Sequence, residues 1–228
     1  QRTEGSRISL TGGGPLVATE IEVPADISSA AFFLVAAAIT PDSDLYLRHV
    51  GINPTRTGIL NLLEIMGASI ELQNERIVGG EPVADIRVRY SVLRGIEIPV
   101  GQVPLAIDEF PVLFIAAACA DGETILTGAE ELRVKESDRL AVMAEGLKTI
   151  GVDLDLFPDG ICIKGNSKMQ FTGGEIDSHG DHRIAMAFAV AGLRSLSEIE
   201  ILDCSNVDTS FPNFAVVAKQ VGLKLAML

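Results

Sequence analysis

The chain has 228 residues, 47% of them hydrophobic and 21% charged, which is material for one large core or two modest ones and excludes a disordered segment. A formal charge of −13 excludes the broad basic face that nucleic acid or an anionic membrane surface would need, so an anionic ligand has to be met by local clusters of cations. Cys119, Cys162 and Cys204 stand far apart and read as reduced residues of a cytoplasmic protein, no apolar run reaches the roughly eighteen residues of a membrane span, and residues 1–10 lack the apolar core of a signal peptide.

Residues 7–23 alternate weakly around a glycine turn and predict a strand pair. Asp26 or Ser28 then caps an Ala-rich helix over 29–39, followed by a strand over 45–50 and a polar loop over 53–57. A second helix over 58–66 ends at Gly67, and 68–72 is again a strand. The same grammar returns twice. Residues 108–120 predict an apolar helix, 124–127 a strand, 132–139 a charged loop, 140–150 a helix stopped by Gly151, and 152–156 a strand. In the third copy 181–192 is the helix, 199–202 the strand, 206–213 the loop, 214–221 the second helix, Gly222 its stop, and 223–227 a strand. Further strand-like pieces lie at 86–92, 161–164 and 169–172.

The glycine stops are 84 and 71 residues apart, and each repeat holds about two helices and four strands. A unit of that size does not close its own core, so three units over about 20–90, 96–172 and 173–228 are expected to pack as one α/β domain with the Ala-rich helices inside. Equivalent loops then gather at one end. The helix starts near Ser28, Asp108 and Asp181, and those at 55–58, 135–139 and 209–212, present amide donors to a common surface carrying Arg56, Lys135, Arg139 and Arg183.

The densest part of that surface is Leu132-Arg-Val-Lys-Glu-Ser-Asp-Arg139, where Ser137 or Asp138 caps a helix and Arg133, Lys135 and Arg139 fall within seven residues. Taken alone, such a run is a solvated helix start whose charges pair with one another. Recurrence at equivalent positions favours an anion site. Arg139 and Arg183 are the candidates for bidentate recognition of carboxylate or phosphate, and Lys135 for a phosphate or hydroxyl. Acids in a basic site repel anions, so Asp108, Glu109 and Glu136 point to proton transfer. Asp108 and Asp181 also have a plainer reading as helix caps. His179-x-x-His182 is half a metal site with no third ligand at a recognisable spacing, so no metal is expected, and no phosphate-cradling glycine loop follows a strand, so no nucleotide cofactor is expected.

Ile107-Asp108-Glu109-Phe110-Pro111, the 132–139 segment, Gly180-Asp-His-Arg-Ile-Ala-Met186, Thr209-Ser-Phe-Pro212 and Asn53-Pro-Thr-Arg-Thr-Gly58 together resemble the second half of the 3-phosphoshikimate 1-carboxyvinyltransferase (EPSP synthase) family, in the right order over essentially the whole chain. The resemblance implies an inside-out α/β barrel built from three βαβαββ units. It implies transfer of the enolpyruvyl group of phosphoenolpyruvate to the 5-hydroxyl of shikimate 3-phosphate, without a cofactor, in aromatic amino-acid synthesis. Asp108 then matches the base at the target hydroxyl and a shikimate 3-phosphate contact, and Glu136 the proton shuttle at the vinyl carbon. Lys135 matches a shikimate 3-phosphate contact, and Arg139 and Arg183 the clamp on phosphoenolpyruvate, with His182 and Glu109 beside them. Thr209 stands where many members carry Lys, a departure shared with the subgroup often tolerant of the inhibitor glyphosate.

The chain starts at Gln1 rather than Met, and the family's first half, with the lysine, serines, glutamine and arginine that complete the site, is expected in an N-terminal partner domain. These residues alone are expected to fold but not to catalyse, with Arg139, Arg183 and Lys135 left solvated. The alternatives are a UDP-N-acetylglucosamine 1-carboxyvinyltransferase-like enzyme, which the Lys-Glu-Ser-Asp-Arg and Asp-His-Arg motifs disfavour, and a non-catalytic anion-binding module.

Overall fold

A computed structural model of the chain describes residues 9, 12–15, 17–18 and 20–226. The Asp26 carboxylate accepts the Ser28 amide at 3.2 Å and caps α1 (Ile27–Ile39), in which every residue but Ser29 is buried. After β1 (Asp44–Gly51) come α2 (Gly58–Ile65), β2 (Ser69–Val78) and β3 (Glu81–Arg89), and the three strands form an antiparallel sheet in the order β1-β3-β2. The second unit repeats this with α3 (Phe110–Ala118), β4 (Gly122–Leu126), α4 (Arg139–Thr149), β5 (Asp153–Phe157) and β6 (Gly160–Gly165), in the order β4-β6-β5. The third consists of β7 (Gly174–Asp177), α5 (His182–Ala191), β8 (Ile199–Leu202), α6 (Val207–Ser210) and α7 (Phe214–Gln220).

Parallel neighbours need a crossover, and here the crossover is the buried helix of each unit. β7 and β8 pair in parallel across α5. Around α1 and α3 the same pairing shrinks to single bridges, Ala25 with Val50, and Arg94 with Asp121 and Glu97 with Ile125. Helices α1, α3 and α5 pack on one another at the centre. Their Ala-rich sequences allow that close approach, and α3, buried along its whole length, has no polar stripe to turn outward. Phe33 meets Phe211 and Phe214 at centroid distances of 6.0 and 5.9 Å, which docks α7 on α1.

The helix stops repeat in atomic detail. Gly67, Gly151 and Gly222 have φ of 94°, 91° and 99°, a left-handed conformation that glycine enters without a Cβ penalty. The residues after them, Ala68, Val152 and Leu223, donate back to Leu63, Leu147 and Ala218 at 2.8, 2.9 and 3.0 Å, closing the same C-terminal motif three times.

Several expected strands differ. Within 7–23 the described residues lie in no strand, and positions 7, 8, 10, 11, 16 and 19 lie outside them. Residues 169–172 form only the bridge from Phe171 to Ser195, and the strand falls five residues later at β7, where Ile176 is the buried residue. Residues 223–226 are in no strand, and Met227 lies outside the described residues. The loop over 206–213 contains the short helix α6, because Asn206 and Val207 accept from Ser210 and Phe211.

Candidate active site

The first turns of α4 and α5 and the residue pair before α3 converge on one guanidinium. Arg139 opens α4, whose cap is Asp138, accepting the Ala141 amide at 3.0 Å. The Arg139 side chain is 1% exposed and each of its nitrogens has a carboxylate partner: Nε donates to Asp181 Oδ2 at 2.8 Å, Nη1 to Asp108 Oδ1 at 3.3 Å, and Nη2 to Glu136 Oε2 at 2.5 Å. Asp181 caps α5 through the Arg183 amide at 2.9 Å and also accepts Ser137 Oγ at 3.1 Å. Burial alone would push the Asp181 carboxyl up, but the bond and charge of Arg139 outweigh it and hold the acid below its usual range.

Asp108 is not a helix cap. That position belongs to Glu109, which makes no side-chain cap bond, and α3 starts with Phe110 and Pro111, whose ring suits the first turn. The Asp108 carboxylate instead faces Arg139 Nη1 at 3.3 Å, Arg183 Nη2 at 3.5 Å and Lys135 Nζ at 3.6 Å. Partial burial raises its pKa, and the Arg183, Lys135 and Arg139 charges more than reverse this, so Asp108 is ionised at neutral pH. Lys135 also pairs with Glu131 at 2.6 Å, which holds the ammonium above its usual range. Arg183 donates from Nη1 to the Asp108 carbonyl at 3.1 Å, with Glu109 Oε1 at 3.7 Å. Glu109 is 5% exposed, and burial pushes its carboxyl up.

The expectation that Arg139, Arg183 and Lys135 would be left solvated in this chain is corrected, since their side chains are 1%, 16% and 22% exposed. Carboxylates of the same chain compensate them. Arg133 is not part of the site: it donates to Asp138 at 2.8 Å and to the carbonyls of Pro158 and Phe157 at 2.5 and 2.6 Å, tying the charged loop to the β5–β6 turn. Arg56 reaches Asp26 at 3.0 Å and Ser28 Oγ at 2.9 Å at the start of α1. His182 opens α5, and burial and then Arg183 push its imidazole below the usual range, so it is neutral at pH 7. Thr209 is exposed on α6 and spends its hydroxyl on the Asn206 carbonyl at 2.7 Å. Among the described residues no group of three or more His, Cys, Asp or Glu side chains is arranged to hold a metal ion.

Sequence reasoning left out Ser28 and Ser137 as partners of Glu109 and Asp181. Both serines sit at helix starts, where a local cap explains them fully, so the pattern carries no signal for a contact to another element. The assembled site offers three cations to an anion and two acids, Asp108 and Glu136, with exposed surface for proton transfer.

Over residues 1–217 the chain matches the family described as EPSP synthase (3-phosphoshikimate 1-carboxyvinyltransferase). It is 63% identical to the 3-phosphoshikimate 1-carboxyvinyltransferase of Methylococcus capsulatus over 97% of this chain and 50% of that protein, and 62% identical to that of Alkalilimnicola ehrlichii over 98% and 50%. The solved EPSP synthase of Acinetobacter baumannii superposes with a TM-score of 0.94 at 58% identity, covering 98% of this chain and 52% of that one. The enolpyruvyl transferase NikO of Streptomyces tendae, at 16% identity and a TM-score of 0.69, shares the fold. The chain spans about half the length of the curated relatives it matches.

Proposed function

Because the chain belongs to the EPSP synthase family, we propose that the complete protein transfers the enolpyruvyl group of phosphoenolpyruvate to the 5-hydroxyl of shikimate 3-phosphate, and that this chain is one wall of the site. Residues 20–90, 96–172 and 173–228 are its three units in one domain, and the N-terminal half of the same enzyme supplies the opposite wall. The free state of Cys119, Cys162 and Cys204 supports a reducing, cytoplasmic setting.

The observation that carries the reading is Asp108 held ionised by three cations between 3.3 and 3.6 Å away. An acid so stabilised is a poor base. An incoming phosphate or carboxylate that takes over Lys135, Arg139 and Arg183 removes that stabilisation, so Asp108 gains basicity at the moment a substrate hydroxyl arrives. Asp108 then accepts the proton of the 5-hydroxyl as its oxygen bonds to the central carbon of phosphoenolpyruvate. Protonated Glu136 delivers its proton to the vinyl carbon and takes one back from the methyl group as the carbon–oxygen bond to phosphate breaks, and the proton held by Asp108 leaves with the phosphate. Lys135 holds shikimate 3-phosphate, and Arg139 and Arg183 hold phosphoenolpyruvate, with His182 and Glu109 at the border of the site. Glyphosate, an anion, competes for the same cations, and Thr209 offers it no charge, which favours tolerance.

In the complete enzyme Arg183→Ala weakens phosphoenolpyruvate far more than shikimate 3-phosphate in titrations of each. Equal losses for both overturn the assignment.

A further inference from the structure

Glu109 lies behind Arg183, out of reach of solvent, and its own support comes from another unit of the fold. Arg56 Nη2 donates to Ser28 Oγ at 2.9 Å, so the Ser28 hydroxyl hydrogen is directed to Glu109 Oε1 at 2.5 Å. The same Arg56 nitrogen is held at 3.0 Å by Asp26, which also caps α1. Ser28 and Glu109 are 3% and 5% exposed. The far end of this chain is Glu109 Oε1, 3.7 Å from Arg183 Nη1, while the neighbouring Asp108 carbonyl takes that Nη1 at 3.1 Å.

We propose that Arg56, Ser28 and Glu109 are positioning residues for Arg183, a hydrogen-bonded chain ending in an ion pair that fixes the Nη1 side of its guanidinium and leaves Nη2 to phosphoenolpyruvate once the ligand displaces the Asp108 carboxylate. This rests on the function reading above. Long cationic side chains lose rotamer freedom when they bind, and a fork held beforehand loses less on ligation. Glu109 contacts Arg183 from the buried side and the Asp108 carbonyl takes Nη1, while the Asp108 carboxylate, 3.5 Å from Nη2, is the partner that the ligand displaces. The hydrogen-bonded chain also couples α1 to α5, so Arg183 is set by two units at once. Asp26, Arg56 and Ser28 look like an ordinary cap and its neighbour, which hides the arrangement in the sequence.

The test uses the complete enzyme with Ser28→Ala, Glu109→Ala, Glu109→Gln and the Ser28→Ala/Glu109→Ala pair. Ser28→Ala and Glu109→Ala raise KM for phosphoenolpyruvate by roughly ten- to a hundredfold, as misplacement of a binding group does. KM for shikimate 3-phosphate stays within about twofold, and the double variant is no worse than the worse single one because the residues act as one chain. Glu109→Gln keeps an oxygen acceptor for Ser28 and recovers most of the loss. Equal changes in both KM values, a change in kcat alone, or additive losses overturn the proposal. If the wild-type enzyme turns over neither substrate, the function reading falls, and NMR of the Arg183 Nη1 protons still decides the positioning role. A resolved, slowly exchanging signal that is lost in Ser28→Ala and Glu109→Ala and kept in Glu109→Gln supports it, and a signal indifferent to all three variants overturns it.

Discussion

Arg139 Nε donates to Asp181 Oδ2 at 2.8 Å, with 1% and 0% of the two side chains exposed, so the central cation of the site is fastened from behind by the acid that caps α5. Removing one partner of a buried pair leaves the other poorly compensated. Asp181→Asn keeps the cap geometry and loses the charge, and it should lower the unfolding free energy by roughly 3–5 kcal/mol. Chemical unfolding at pH 7 measures this. A loss under about 1 kcal/mol, the scale of an exposed pair, would show that Asp108 and Glu136 satisfy Arg139 without help.

Asp181 and Glu109 titrate with opposite signs. Asp181 is depressed, so its contribution is present above the ordinary carboxylate range and is lost as pH falls through its folded value. Glu109 is raised above its ordinary 4.5, so its contribution is full below that value and is lost as pH rises through the folded one. Glu109→Gln stays neutral throughout. The stability of this variant relative to wild type should therefore increase between pH 4 and pH 7, read from unfolding free energies at the two values. A relative stability that falls over that interval contradicts the sign.

What the sequence made legible was periodic or local. Gly67, Gly151 and Gly222 mark the same corner in pattern and in hydrogen bonds, and the buried helices announce themselves by lacking a polar face. Asp26, Asp138 and Asp181 cap the helices they precede. The compensation of the site was not legible, because its partners come from far along the chain. Asp181 is 42 positions from Arg139, and Ser28 is 81 from Glu109. Strand positions over 169–177 were misjudged since Gly173 and Gly174, with φ of 80° and 146°, look like a turn while β7 starts at Gly174.

Gly146 separates two opposing effects. It lies inside α4, where Ala is favoured over Gly by about 1 kcal/mol. A Cβ there would overlap the Phe188 ring of α5, and overpacking of this kind costs about 1–3 kcal/mol. The clash wins, so Gly146→Ala should lower the thermal midpoint. Gly146→Ala with Phe188→Leu should recover part of the loss. A single variant more stable than wild type shows that α4 and α5 can shift apart freely.

Glu136 meets Arg139 Nη2 at 2.5 Å with half its side chain exposed, a geometry that Gln can copy through its carbonyl oxygen. In the complete enzyme Glu136→Gln should bind both substrates with little change and lose about two to four orders of magnitude in turnover, the usual share of a general acid or base. Single-turnover kinetics beside equilibrium binding separate the two quantities. Turnover near that of wild type removes the proton-transfer role.

The chain on its own should fold and yet not catalyse. Its three central helices supply a shared core, although the third unit holds only the β7–β8 pair among the described residues, where the other two units hold three strands. Cooperative unfolding of the isolated chain is the expected outcome. Catalysis is a different matter, because Arg139, Arg183 and Lys135 already face Asp108, Asp181, Glu136 and Glu131, and an anion must displace such partners while the other side of the site stays open to water. Displacing those partners offsets most of what the new contacts gain, and salt screens the attraction wherever the site stays open. On the proposed function, closure by the other half of the enzyme would exclude water and strengthen each contact. The measurement is turnover by the purified chain, then by the chain mixed with the other half. Activity only in the mixture is expected, and full activity from the chain alone would show that the reacting groups all lie on this wall.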